Sequence, residues 1–143
     1  MEKPKTNLNV IQRFYDAYNQ KHEPLLNEII ADDYVDYGHQ PPGRGLPGAK
    51  SDLQDIARGF EDARFDIDEM FGAHDRVVVR WTVHGTQTGP FAGLQPTQKK
   101  VAVSGISLYR VRDGKITETR NQADLLSLFT QLGTIEQKRS AAA

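Results

Sequence analysis

The chain has 143 residues, no cysteine and a formal net charge of −1 from 18 basic and 19 acidic residues. That length suits one domain with one core, and the missing cysteines exclude disulfides, thiolate nucleophiles and thiolate metal ligands, leaving acids, bases and hydroxyls to carry any chemistry. Balanced charge offers nucleic acid or anionic lipid no electrostatic attraction, no apolar run nears the ~20 residues of a membrane span, and Met1 to Asn9 lacks a secretory apolar core, so the expectation is a cytoplasmic protein with neither nucleic-acid nor membrane partners.

Val10, Phe14, Ala17 and Tyr18 fall at helical spacing, with Asn7 as a candidate cap. A short second helix is predicted from Pro24 through Leu25, Leu26, Ile29 and Ile30, ended by Asp32 and Asp33. Residues 35–37 read as extended, and residues 38–48, with four glycines and three prolines, read as a long shaped loop. Ala49, Leu53, Ile56 and Phe60 predict a third helix. Alternation then predicts strands through Phe65 and Ile67, Val77 to Val83, Val101 to Val111 and Ile116 to Ala123, with Asp113-Gly114 turning the last pair. Helices first and strands afterwards argue for an α+β domain, taken as residues 1–137 with a disordered tail at 138–143.

The last hairpin decides which side chains share a face. A type I turn with Gly114 left-handed sets Val111 opposite Lys115, so Arg110, Leu108, Ile106 and Ser104 oppose Ile116, Glu118, Arg120 and Gln122, on one face with Asp124. Ile106, Leu108 and Ile116 mark that face as core-facing, and its polar excess suits a polar-lined pocket. The alternatives are that this is the outward or dimer-facing side, or that a tighter two-residue turn shifts the pairing. On the preceding strand Trp81 shares a face with Val77, Val79 and Val83, as core or pocket wall, while Arg80, Thr82 and His84 point the other way.

The phrases RVVVRWTVHGTQTGPFAGLQPT, SLYRVRDGKITE and Asp124 followed by LLSLFTQLG resemble the SnoaL-like polyketide cyclases of the NTF2-like superfamily, with weaker agreement in FYDAYNQ and DDYVDYGHQPPG. The resemblance implies an NTF2-like cone, with three N-terminal helices packed in the concave face of a curved, mainly antiparallel sheet, and commonly a homodimer. It also implies an aspartate at the end of the final strand acting as general acid and base in an intramolecular aldol ring closure, which falls on Asp124. Capping of the helix after it is the competing role for Asp124.

Arg120 stands where similar proteins often carry tryptophan; it can lower the pKa of a nearby Asp124 and bind an anionic substrate, or simply pair with Glu118. The family's first-strand histidine is Tyr37 here, and His39, two residues on, is either a catalytic donor or an exposed residue before Pro41-Pro42. Tyr15 and Tyr18 offer hydroxyls at a pocket mouth or complete a core edge. Tyr15, Tyr37, Trp81, Ser104, Leu108, Arg120 and Gln122 are the substrate-binding candidates beside catalytic Asp124 and His39.

His22, His39, His74 and His84 show no spacing of the usual metal-binding kinds, and PPGRGLPG is no dinucleotide fingerprint, so neither metal nor cofactor is expected. The leading functional expectation is a cofactor-independent enzyme acting on a small apolar or carbonyl-containing substrate. Isomerisation, dehydration or hydrolysis on the same scaffold, and a non-catalytic ligand-binding dimer, stand beside it.

Overall fold

A computed structural model describes residues 4–135, with side chains from Thr6 onward. Helix α1 (Pro4–Gln20) leads through a 3₁₀ turn (Glu23–Leu25) into the one-turn helix α2 (Leu26–Ile29) and strand β1 (Ile30–Asp36). Strand β2 (Gly43–Arg44), helix α3 (Gly45–Gly59), strands β3 (Arg64–Ala73), β4 (Arg76–Thr86), β5 (Lys100–Arg112) and β6 (Lys115–Ala123), and helix α4 (Leu125–Leu132) complete the order. The strands form one curved α+β sheet in the order β2-β1-β6-β5-β4-β3, antiparallel except where β1 joins β6 in parallel.

The core follows from the two periodicities. Val77, Val79 and Trp81 alternate onto the inner face of β4, and Tyr109 and Val111 onto that of β5. They meet Ile11, Phe14 and Tyr15 from the buried stripe of α1, which lies across β3 and β4. α3 packs on β1 and α4 on β5, where Leu128 and Leu132 join Phe60, Val101 and Val103 in a second cluster. Helices therefore cover one face of the sheet at both ends, and a space remains between them.

Several boundaries differ from the sequence reading. α1 starts at Pro4, so Asn7 is no cap but a fully buried residue whose amide donates to the His74 carbonyl at 3.2 Å. The second helix stops at Ile29; Ile30 to Asp36 is strand, because pairing with β6 on one side and β2 on the other outweighs a short helical pattern. The 38–48 loop is shorter than expected, since Gly43–Arg44 pairs with β1 and α3 already begins at Gly45. The tail expected at 138–143 lies outside the described residues.

The last hairpin has the tighter turn. Asp113 and Gly114 both have positive φ, 52° and 76°, the two-residue geometry that Asp-Gly favours, and Arg112 pairs directly with Lys115. A bulge then takes up Thr117, so Val111 opposes Ile116 and Arg110 opposes Glu118. The inner face of β5 is thus Val101, Val103, Gly105, Ser107, Tyr109 and Val111, while Ser104, Ile106 and Leu108 face outward. Turn and bulge together move the pairing by two residues from the expected register, so Ser104, Ile106 and Leu108 still share a face with Glu118, Arg120 and Gln122, but that face is the outer one and Ile116 turns inward.

Candidate functional site

Between the helices and the inner face of the sheet lies a cavity of about 330 Å³, within the usual range for a small-molecule site. Its walls are largely aromatic and aliphatic. Phe65 packs edge-on against Trp81 with ring centroids 5.7 Å apart, Phe14 stands 5.6 Å from Tyr109, and Phe60 and Phe91 close another side at 5.2 Å. α4 contributes Leu125 and Leu128.

Trp81 lies flat in that wall because Gly105 has no side chain: a Cβ there would stand 2.2 Å from the indole ring. The indole N–H donates to Ser107 Oγ at 2.8 Å, and Ser107 donates in turn to Asn121 Oδ1. Beside them the Tyr15 and Tyr109 hydroxyls share a hydrogen bond of 2.7 Å, and Tyr34 bonds Thr119 Oγ1 at 2.8 Å. Burial pushes all three phenols far above the ordinary tyrosine range, so they remain protonated.

The charged part of the lining comes from three elements. β1 ends on Asp36, the following loop supplies His39, and α3 supplies Asp52. His39 Nε2 donates to Asp52 Oδ1 at 2.7 Å and lies 3.4 Å from Asp36 Oδ2; the Tyr18 hydroxyl donates to Asp52 Oδ2 at 2.5 Å. Both Asp52 oxygens are therefore engaged. Asp36 holds one firm bond, from the Gly38 backbone N–H to Oδ1 at 2.8 Å.

These neighbours set the protonation states. The hydrogen bond to Asp52 raises the His39 imidazole to about 9 against the opposing effect of partial burial, and the negative charges of Asp52, Asp36 and Asp55 add to it. Burial raises the Asp36 carboxyl above its ordinary 3.8; the Gly38 N–H and the His39 charge offset part of that, while the Asp52 charge reinforces it. The rim thus holds the His39 imidazole as a cation against Asp52, with the poorly solvated Asp36 3.4 Å away.

Asp36, His39 and Asp52 each bring one ligand-type atom within 4.8 Å of the others. A divalent cation can share such a set only by displacing the His39 proton, which both carboxylates retain. The sequence spacing missed this cluster because its members come from a strand end, a loop and a helix.

The expected site residues divide by face. Tyr15 and Trp81 line the cavity, His39 lines its mouth with 44 % of its side chain exposed, and Gln122 reaches the rim. Ser104, Leu108 and Arg120 do not line it: they share a face as expected, but it is the outer face, where Arg120 donates to Glu118 at 3.0 Å and stacks over the Tyr37 ring at 4.1 Å from its centroid. Tyr37 is likewise exposed. Asp124 is not the desolvated carboxylate expected at the pocket floor; it is exposed, outside the lining, and caps α4 by accepting the Ser127 N–H at 3.0 Å. Sequence reasoning passed over Asp36, Asp52, Ser107 and Asn121. The Asp-Gly turn signal alone would set Ser107 opposite Arg120; the bulge at Thr117, which no sequence signal marked, brings Asn121 opposite Ser107.

Comparisons with known proteins bear on the family and the fold. Aklanonic acid methyl ester cyclase DnrD of Streptomyces peucetius is 26 % identical over 132 residues, 90 % of this chain and 91 % of its own length. Among solved structures, TsrD of Streptomyces laurentii superposes with a TM-score of 0.87 at 24 % identity, covering 94 % of this chain and all of TsrD, a likeness of fold. IdmH of Streptomyces antibioticus gives 0.78 at 29 % identity over 89 % of this chain and 98 % of its own. The sequence profile of the SnoaL-like polyketide cyclases matches residues 9–132, and the chain belongs to that family.

Proposed function

We propose that this chain is a cofactor-independent enzyme that closes a ring in a small, largely apolar ester or ketone substrate, with Asp36 as its general base. The observation that carries the reading is one buried carboxylate, Asp36, set 3.4 Å from the His39 imidazole at the edge of an aromatic cavity; its burial raises its proton affinity. A partly desolvated carboxylate is a stronger base than a solvated one, and the apolar walls exclude the water that would compete.

The step balances as an aldol addition. Asp36 removes a proton from carbon beside a carbonyl, and the C–H electron pair moves onto the carbonyl oxygen. The resulting enolate carbon then forms a C–C bond to a second carbonyl in the same molecule, whose oxygen takes the proton back from Asp36. His39, held by Asp52, which Tyr18 in turn anchors, supplies positive charge while the negative charge migrates.

Aklanonic acid methyl ester, the compound in the name of the 26 %-identical relative, is the first substrate to try. Turnover without change of mass, lost by about a hundredfold or more in Asp36→Asn with the melting temperature retained, is the expected result. An unaffected Asp36→Asn rate removes Asp36 from the chemistry. Uptake of solvent ¹⁸O into an acid product would instead place hydrolysis on this scaffold.

The active form in this reading is a homodimer joined through the outer sheet face. Phe71, Val78, Leu108 and Arg120 are successive partners across β3, β4, β5 and β6, and Ile106 stands in the next row; Phe71 and Ile106 are each more than half exposed. The apolar stretch Phe71, Val78 and Leu108 of that row favours burial against a second copy.

A further inference from the structure

Asn121 stands opposite Ser107 on the inner face, and its neighbours decide which end of its amide meets the cavity. The Trp81 indole N–H can only donate, so Ser107 Oγ is the acceptor of that bond and its own hydrogen is committed elsewhere. The Tyr15 and Tyr109 hydroxyls also lie near Ser107, but they share a bond of 2.7 Å with each other, and the Ser107 hydrogen goes to its nearest acceptor, Asn121 Oδ1. An amide nitrogen has no lone pair to receive it, so the relay Trp81 to Ser107 to Asn121 turns Nδ2 the other way.

On that other side lies Gly38. A Cβ at Gly38 would stand 2.7 Å from Asn121 Nδ2 and 3.0 Å from Asp36 Oδ1, so the amide and the base flank one point. Gly38 is not among the residues with positive φ, and its missing side chain serves space rather than backbone conformation. Among the described residues Asn121 Nδ2 donates to no protein group, and it is not sealed from solvent. A pre-oriented donor without a protein acceptor, next to a base and in a cavity wall, is the arrangement that stabilises charge developing on a substrate oxygen.

We propose that Asn121 Nδ2 is the oxyanion donor of this cavity. It binds the carbonyl oxygen that becomes the enolate oxygen when Asp36 takes the neighbouring C–H proton, and Ser107 acts as its positioning residue. The substrate class is narrowed accordingly: an acidic C–H directly beside a ketone or ester carbonyl, with that oxygen turned toward β6 and the C–H toward the end of β1. This rests on the proton-transfer reading of Asp36, and its test is chosen to be separable from it.

The probe is para-nitrophenol, whose acidic oxygen on an sp² carbon imitates an enol and whose absorption reports its ionisation. Titration follows binding to the wild type, Asn121→Leu, Ser107→Ala, Gly38→Ala and Asp36→Asn, with melting curves for each. The expected result is binding as the phenolate to the wild type, weakened about tenfold or more in Asn121→Leu. Ser107→Ala, which frees the amide to turn, weakens it less. Gly38→Ala, whose methyl takes the shared point, weakens it as well. Asp36→Asn retains binding that still falls when Asn121→Leu is added.

No binding by the wild type, or equal affinity in wild type and Asn121→Leu of unchanged melting temperature, overturns the proposal. If Asn121→Leu does not fold, equal affinity in both Ser107→Ala and Gly38→Ala does so. A weakened phenolate in Asn121→Leu together with undiminished ring closure by Asp36→Asn would retire the base and keep the donor.

Discussion

Two carboxylates a few ångströms from the same imidazole differ in chemistry because their other neighbours differ. Asp52 accepts from both His39 and Tyr18, which ties up its lone pairs. Asp36 is buried, with its raised proton affinity only partly offset by the Gly38 N–H. The proposed activity therefore has two titrations. It rises with pH as Asp36 ionises, above the ordinary 3.8, and it falls as His39 loses its proton near 9. Asp52→Asn removes the largest cause of the raised histidine, so the alkaline limb of kcat/KM moves down from about 9 toward the ordinary 6.5. An alkaline limb that stays in place means His39 is not the group it reports.

Stability carries a related pH signature. A histidine raised in the folded protein contributes stabilisation that is complete below its unfolded value, 6.5, and is lost as pH rises through about 9. Asp36, also raised, works in the same direction but in a lower window that opens at 3.8. Urea midpoints followed from pH 6 to pH 10 should fall in the wild type and fall less in His39→Gln. Equal slopes in the two proteins would mean that the imidazole is no more strongly protonated in the fold than out of it.

At the scale of elements, the β5–β6 hairpin decides which residues meet the cavity. Its Asp113-Gly114 turn and the bulge at Thr117 send Ser107 and Asn121 inward and Leu108 and Arg120 outward. The order of helices and strands was legible from periodicity, as were the inner residues of β4, because Val77, Val79 and Trp81 leave no doubt about a face. The β5 register was not. Ile106 and Leu108 are as apolar as Val103 and Tyr109, so alternation does not choose between the faces, and the turn length does not decide either, because the bulge at Thr117 shifts the pairing again before Ser107 meets Asn121. The end of β1 was read as extended, but its start was hidden for another reason: Ile29 and Ile30 continue a helical spacing until pairing with β6 claims Ile30. Asp36, His39 and Asp52 meet only after β1, the following loop and α3 are in place, which local spacing cannot reveal. Asp124 illustrates the same limit, for it was legible both as base and as cap. The cap geometry predicts that Asp124→Ala lowers stability by about 1 kcal/mol, measured by urea unfolding, with turnover of the folded protein unchanged. A loss of activity without a loss of stability would return Asp124 to the reaction.

For the whole molecule, the sheet separates two surfaces that share no side chains. The inner one is closed by α1, α3 and α4 around the cavity; the outer one carries exposed Phe71 and Ile106 and half-buried Leu108 beside the Arg120–Tyr37 stack. Alternation makes them independent, since a residue on one face of β5 has neighbours in sequence on the other. A charge at Leu108, the centre of the outer row, should thus disturb association and spare the pocket. Leu108→Glu puts a carboxylate where two copies would bury apolar surface, and an unpaired charge at the middle of a standard-sized interface costs several kcal/mol, enough to shift dissociation by about a thousandfold. Sedimentation at micromolar concentration should find the wild type dimeric and Leu108→Glu monomeric, with para-nitrophenol bound equally by both. A wild type that sediments as a monomer removes the outer face from the functional argument. A monomeric variant that also loses the ligand would show that the partner copy, through β5 and β6, holds Ser107 and Asn121 in the register that builds the cavity wall.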